Sequence, residues 1–332
     1  TAFTSHKKAE QITGRLIVRR IPEPNSKTSQ GQETLFDTWR FHAFFTTTAV
    51  ADLDTVAAHQ THRRHAIIVN EASRNGKDVY CQKPETRTLR EGPLMIEAAR
   101  RYSRVVSGGS QRVLEDYRKT VDQCWGGELG PIKSINVEVG PLPVECNLAG
   151  ENQPDDIDWD MWLGPAPWAP YHPYRCSGSY NINGTSWRSF SDYSGGGMTD
   201  WGAHHFGGAT FAVDVREMQP VEVVFHSGER KYLTYRYANG LEITHNRPGS
   251  RNMQVVGTPG EKREAKPVPT YKGQGGIYGD FIHCVKTRGR PFRDPAGIDR
   301  MHELFEIRDF AAKILRLEPV HAVNTVRPGD HI

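Results

Sequence analysis

The sequence is short of cysteine, of long apolar runs and, in its first third, of glycine. Its five cysteines, Cys81, Cys124, Cys146, Cys176 and Cys284, are odd in number, far apart and never spaced CxxC. That argues against a disulfide framework or a zinc knuckle, and no metal site is expected. No apolar run approaches the roughly 20 residues of a membrane-spanning helix, so no membrane partner is expected. No basic stretch is interleaved with aromatics, and the formal charge is only +3, so nucleic acid is not an expected partner either. Residues 1–64 contain no readable strand–glycine loop–helix unit. No signal peptide is visible. The cytoplasm is the expected compartment, and the periplasm is the alternative if an export signal precedes this segment.

What is present begins near His65. Residues 1–49 read as an atypical N-terminal region: only Leu16–Val18 and Phe41–Phe45 resemble core, and Ile21–Gln32 is a Pro/Ser/Gln/Gly stretch with the character of a linker. From His65 to Arg74 apolar residues recur at Ala66, Ile67, Val69 and Ala72, and Asn75-Gly76 supplies a helix stop. Asp78–Cys81 predicts a short strand. Arg90–Tyr102 predicts a helix with Leu94, Ala98, Ala99 and Tyr102 on one face. Val105-Val106 opens another strand, and Leu114–Cys124 predicts a third helix. This alternation is the pattern of a parallel sheet, which places an α/β unit at residues 50–125.

After Gly130 the pattern becomes rich in strands. Ile135, Val137 and Val139 alternate with polar residues, as on a strand with one buried face. Val221, Val223 and Phe225 mark another. Tyr232–Tyr237 and Leu241–His245 flank Asn239-Gly240, a strong hairpin signal. Helices are expected near Tyr278–Lys286 and Asp299–Leu315. Residues 126–332 therefore read as an α+β domain on an open, mostly antiparallel sheet.

Three segments carry chemistry. Cys81-Gln82-Lys83-Pro84 directly follows a predicted strand, where open α/β sheets bind ligands. A lysine there can polarise a substrate hydroxyl, and the proline stiffens the backbone beside it; a plain surface turn is the alternative. In Gly195-Gly196-Gly197-Met198-Thr199-Asp200-Trp201-Gly202-Ala203-His204-His205 the glycines permit close backbone approach to a ligand. Thr199 or Asp200 can cap the following helix. Asp200 and His204 are four apart and share a helix face, so the carboxylate can orient an acid/base imidazole; a structural Asp–His pair is the equal alternative. The third segment is rich in aromatics: Asp158-Trp159-Asp160-Met161-Trp162-Leu163-Gly164-Pro165, then Tyr171–Tyr174 and Trp187-Arg188. Such rings either stack on sugars or pack the domain.

Together these phrases resemble the glucose–fructose oxidoreductase / inositol dehydrogenase / MocA (Gfo/Idh/MocA) family. The resemblance runs from His65 nearly to Leu317. It rests on HAIIVNEASRNGKDVYCQKP, EGPLMIEAARRYSRVVSGGSQR, ELGPIKSINVEV, DWDMWLGPAPW and GGGMTDWGAHHF in that order. It implies a Rossmann-like N-terminal domain, NAD or NADP as cofactor, a sugar or polyol substrate, and dimers or tetramers. It implies catalytic roles for Lys83, Asp200 and His204. It implies cofactor contacts from Gln82, Lys83, Pro84 and Gln111, and substrate contacts from Arg112, Trp162, Arg188 and His205.

The sequence departs from the family in three places. Gln82 replaces a glutamate, which removes a charge favouring protonated Lys83. Gly207 stands where an acidic residue commonly follows His-His-Phe. The glycine loop for the pyrophosphate is missing from residues 1–64, which makes the Rossmann unit incomplete. Three functions remain open on this reading: hydride transfer at a sugar or polyol carbon, glycoside cleavage through transient oxidation by bound NAD, and a non-enzymatic remnant that binds or oligomerises.

Overall fold

A computed structural model describes residues 64–88, 90–177, 186–216, 218–226, 232–246 and 253–296, with the backbone of four further strand segments. Those segments are β1 (Val18–Arg20), β2 (Phe41–Ala43), β3 (Thr55–Ala58) and β11 (Thr325–Val326). Between β3 and β11 the order is α1 (His65–Arg74), β4 (Asp78–Cys81), α2 (Glu91–Arg101), β5 (Val106–Gly108), α3 (Arg118–Trp125) and β6 (Ile132–Val137). There follow α4 (Trp159–Leu163), α5 (Pro173–Cys176), α6 (Gly196–Asp200), α7 (Gly202–Ala212), β7 (Pro220–His226), β8 (Tyr232–Tyr237), β9 (Glu242–His245), β10 (Met253–Gly257) and α8 (Gly276–Thr287).

The fold is mixed α/β. A small sheet runs β3-β4-β5 with every pairing parallel, and a larger one runs β10-β6-β9-β8-β7-β11. All pairings in the larger sheet are antiparallel except β6 with β9. All four residues of β4 are buried, as expected for a central parallel strand covered on both faces. Helix α1 lays Ala66, Ile68, Val69 and Ala72 on this sheet, where they meet Val79, Cys81, Met95, Ala99 and Val106. The helices at 65–74 and 91–101 lie where periodicity predicts them, but each presents a slightly rotated face. Ile68 turns inward in place of Ile67, which is 55% exposed, and Met95 turns inward beside the expected Ala99 in place of Leu94. One residue is about 100° of helix turn, so an apolar residue beside the stripe can be left outside it.

The larger sheet buries alternate residues, Ile135 and Val137 on β6, Leu233, Tyr235 and Tyr237 on β8, and Ile243 on β9, against α7. Every residue of α7 is buried. A helix enclosed on all sides needs small residues where neighbours approach closely. At Gly208 an added Cβ would lie 2.5 Å from the Tyr117 ring. Asn239-Gly240 turns the β8–β9 hairpin as predicted, with Gly240 at φ +83°. The helix expected at Leu114–Cys124 is instead a tight turn at Gln111–Leu114 followed by α3.

An ion pair between buried Asp78 and half-exposed Arg288 ties the end of α8 to the small sheet. Both Arg288 amino groups donate to the Asp78 carboxylate, at 2.7 and 2.9 Å, while Asp78 also accepts from the Val105 backbone N–H at 2.8 Å. The expectations for residues 1–49 as a region, for the linker at 21–32 and for a helix at 299–315 fall outside the described residues.

Candidate active site

The site is assembled where the carboxyl ends of β4 and β5 meet α6 and α7. The chain leaving β4 carries Gln82, Lys83 and Pro84; the chain leaving β5 carries Gly109 and Ser110. These two exits touch. A Cβ on Gly109 would lie 2.7 Å from the Gln82 Cα, so no larger residue fits there without displacing the Lys83 loop. Gln82 Oε1 accepts from the Lys83 backbone N–H at 3.2 Å, and the buried Glu85 carboxylate accepts from the Gly109 N–H at 3.2 Å. His65, at the start of α1, donates from Nδ1 to the Pro84 carbonyl at 2.6 Å. The carbonyl can only accept, so this contact places the His65 hydrogen on Nδ1. Three side chains thus hold the loop that carries Lys83.

Lys83 reaches 117 residues along the chain to Asp200. Its ammonium donates to the Asp200 carbonyl at 2.9 Å and, more closely, to Oδ1 of the same residue. Both side chains are largely buried. The other carboxylate oxygen faces Arg188 Nε at 3.4 Å, and the Arg188 guanidinium lies 4.4 Å over the Trp187 ring. Asp200 therefore spends both oxygens on cations. In α7, His204 meets a different partner, Ser110 Oγ, at 3.1 Å from Nδ1. The orienting contact on His204 comes from Ser110, and the expectation that Asp200 supplies it is corrected. Sharing a helix face only makes an Asp200–His204 contact available, and Lys83, a full positive charge, takes the carboxylate instead.

Burial pushes the His204 imidazole down to about 2, and the charges of Lys83, Arg112, His205 and Arg293 push in the same direction. His204 is neutral in the folded protein at any ordinary pH. His205 is also lowered, by burial first, although its Nδ1 donates to the Glu138 carbonyl at 2.5 Å. Its ring packs edge-on to Tyr117 and near Trp201, a packing position inside the fold.

The remaining expected site residues are distributed as follows. Arg112 stacks over Trp201 with its guanidinium carbon 4.9 Å from the ring centre, and it pairs with Asp116. Gln111 opens the turn immediately after Ser110. Trp162 stacks on Trp159 at 4.8 Å and meets Tyr193 edge-on, within a cluster that includes Tyr171 and Phe190. With 8% of its surface exposed, it packs the domain in place of the substrate-facing role expected of it. The cluster is pinned by buried Arg175, which donates to the Tyr193 hydroxyl and the Leu148 carbonyl.

The glycines ahead of Asp200 also do something other than expected. A Cβ on Gly197 would lie 2.4 Å from the Gly140 Cα, and one on Gly196 would lie 2.6 Å from the Pro143 nitrogen. The close approach they permit is to the chain leaving β6, and it fixes α6 and hence Asp200. Neither Thr199 nor Asp200 caps α6 or α7 as expected: Thr199 accepts the Gly195 N–H at 3.1 Å, and Asp200 pairs with Lys83. Ser110 and His65 were not singled out in the sequence for these roles. The one available signal for Ser110 was its place directly after a predicted strand.

The described residues at these strand ends suit the nicotinamide end of a dinucleotide: closely apposed backbone at Gly109 and a cation at Lys83. They do not suit its pyrophosphate. Gly14 and Gly31 are the only glycines before Gly76, so no three-glycine turn can be formed there. Among the described residues no group of histidine, cysteine and carboxylate side chains could hold a metal ion. No helix among them is long and apolar enough to cross a membrane.

Comparison with known proteins agrees with this architecture. Residues 143–262 match the family model described as the oxidoreductase family, C-terminal alpha/beta domain, of the Gfo/Idh/MocA group. No curated protein sequence matches the chain. Among solved structures, an NAD-binding protein from Listeria innocua is similar at a TM-score of 0.57 and 16% identity, covering 87% of this chain and 83% of that one. An aldose-aldose oxidoreductase from Caulobacter crescentus, complexed with glycerol, is similar at 0.54 and 18%, covering 83% and 80%. An inositol dehydrogenase homolog complexed with NAD+ from Azotobacter vinelandii is similar at 0.51 and 14%, covering 83% and 78%. At these identities the likeness is one of fold.

Proposed function

We propose that this chain, a Gfo/Idh/MocA oxidoreductase by its C-terminal domain, acts on a secondary hydroxyl of a sugar or polyol, or on the corresponding ketone. The observation that carries the reading is the Lys83–Asp200 pair beside a neutral, buried His204. A nicotinamide cofactor, NAD or NADP, would supply the hydride acceptor or donor, with Gln82, Lys83, Pro84 and Gln111 around its nicotinamide end.

The protein's share of the chemistry follows from its own groups. Lys83 has three N–H donors and Asp200 accepts two, so one is left for a substrate oxygen. That contact stabilises negative charge as the hydroxyl loses its proton. Asp200 fixes the ammonium in place, accepting from it with both its carbonyl and its carboxylate. The His204 ring nitrogen that Ser110 does not occupy would receive the hydroxyl's hydrogen bond and take its proton as the hydride leaves, against the low basicity that burial and the surrounding cations impose on the ring in the empty site. Arg188 tethers the far side of Asp200.

The test is turnover at saturating cofactor with a panel of polyols and ketoses, followed by absorbance of the reduced nicotinamide. Lys83→Ala and His204→Ala should each lower turnover by roughly two orders of magnitude or more while the fold remains intact. Turnover unchanged in either variant would remove that residue from the chemistry. The missing glycine turn supports a second reading, a binding or oligomerising remnant; it would be favoured if no polyol or ketose turned over with either cofactor.

A further inference from the structure

We infer that Ser110 fixes the tautomer of His204, holding its single ring hydrogen on Nδ1 and leaving Nε2 as a bare proton acceptor. The inference rests on the reading of His204 as the proton-accepting group, and it comes from counting hydrogens at one buried hydroxyl. Ser110 Oγ lies 3.1 Å from His204 Nδ1 and 3.3 Å from the Ala203 carbonyl oxygen. Ser110 is fully buried, so water does not substitute for either partner.

A serine hydroxyl has one hydrogen to give and lone pairs to accept with. If Oγ donated to Nδ1, it would face the Ala203 carbonyl with no hydrogen between two oxygens, a repulsive contact in a dry site. If Oγ donates to Ala203, both contacts are attractive only when Nδ1 carries a hydrogen and donates it back to Oγ. That second arrangement alone satisfies both distances. The imidazole is neutral, because burial and the surrounding cations disfavour a second proton. With one ring hydrogen spent on Ser110, Nε2 has none.

A consequence for ligand choice follows. A hydroxyl placed between Lys83 and His204 can accept from the ammonium and donate to Nε2. A ketone oxygen has nothing to donate and would face the Nε2 lone pair. The resting site is therefore matched to the hydroxyl form of its substrate. Ser110 is a positioning residue in this scheme, because it acts through His204.

The tautomer can be read without cofactor or turnover, which separates this inference from the proposed activity. Long-range proton–nitrogen correlation spectra of protein labelled at the histidine ring nitrogens distinguish protonated from bare nitrogens, and His204→Gln identifies the His204 signals. The wild-type protein should show a protonated Nδ1 and a bare Nε2 at His204; the opposite assignment would overturn the inference. Ser110→Ala removes the acceptor and should shift His204 toward hydrogen on Nε2, whereas an unchanged tautomer would show that Ser110 does not set it. The same variant should lower kcat by about 10-fold or more with KM little changed, as loss of an orienting partner does. Should Ser110→Ala fail to fold, the wild-type spectrum alone still decides the tautomer.

Discussion

Moving from pH 7.5 to pH 5.0 should weaken the folded state through His204, and the loss can be worked from its environment. An unfolded histidine titrates at about 6.5, whereas the folded His204 stays neutral down to about 2. Below pH 6.5 the unfolded chain therefore binds a proton at this position that the folded chain refuses. Stability from such a depressed group is fully present above 6.5, and it is lost as pH falls toward the folded value. Between pH 7.5 and 5.0 one such histidine accounts for about 2 kcal/mol, a large fraction of the roughly 5–15 kcal/mol typical of a domain. His204 is 5% exposed, so solvent screening takes little from this figure. The assay is urea unfolding of the wild type and His204→Asn at both pH values. Subtracting each protein's own pH loss cancels any baseline damage from the substitution, and His205 contributes to both. Asparagine does not titrate, so the wild type should lose about 2 kcal/mol more than the variant. Equal losses in the two proteins would refute a buried neutral His204.

Three further outcomes are expected. Asp78→Ala removes the acceptor for Arg288 and for the Val105 N–H, and should cost about 2–4 kcal/mol in urea unfolding, less than for a wholly buried pair because Arg288 is half exposed; a cost under 0.5 kcal/mol would show the clasp is ornamental. Gly197→Ala forces a methyl into the Gly140 backbone, so it should lower the melting temperature and turnover together, since α6 carries Asp200; unchanged stability would mean α6 has slack. Calorimetry with NAD and NADP should show weak binding, because the sequence before Gly76 has only Gly14 and Gly31 and so no clustered glycines for close approach to the pyrophosphate; a micromolar constant for either would overturn that.

The pieces of the fold that were legible in the sequence are those whose signal is local. Asp78–Cys81 reads as a strand from the run Val79, Tyr80 and Cys81 after the Asn75-Gly76 turn signal, and the structure has a strand with the same ends. Gly240 fixes this hairpin because glycine adopts the positive φ of the turn without strain. What depends on the third dimension was not legible. No periodicity says that Ile68 rather than Ile67 faces the sheet, or that Trp162 would be enclosed by Trp159 and Tyr193. The site divides in the same way. Lys83 and Asp200 stand out by their motifs, but the partner of His204 is a serine 94 residues upstream. Serine is too common to be noticed without knowing which strand end it occupies.

The same division bears on how a missing glycine turn affects this protein. Cofactor affinity and catalytic geometry are set by different parts of the chain. The pyrophosphate would depend on residues before His65, where three clustered glycines are absent. The chemistry would depend on Lys83, Asp200, Ser110 and His204, and these are held by contacts that owe nothing to a bound ligand. His65 holds Pro84, Glu85 holds Gly109, Asp200 holds Lys83, and Ser110 holds His204. Such a site is preorganised, so ordering it costs nothing at the moment of binding. Loss of the turn should then raise the cofactor concentration needed for turnover without altering the dependence of turnover on Lys83 and His204. A site shaped by its cofactor would behave otherwise: weak binding would bring disordered catalytic groups, and substitutions at Lys83 or His204 would have little left to remove.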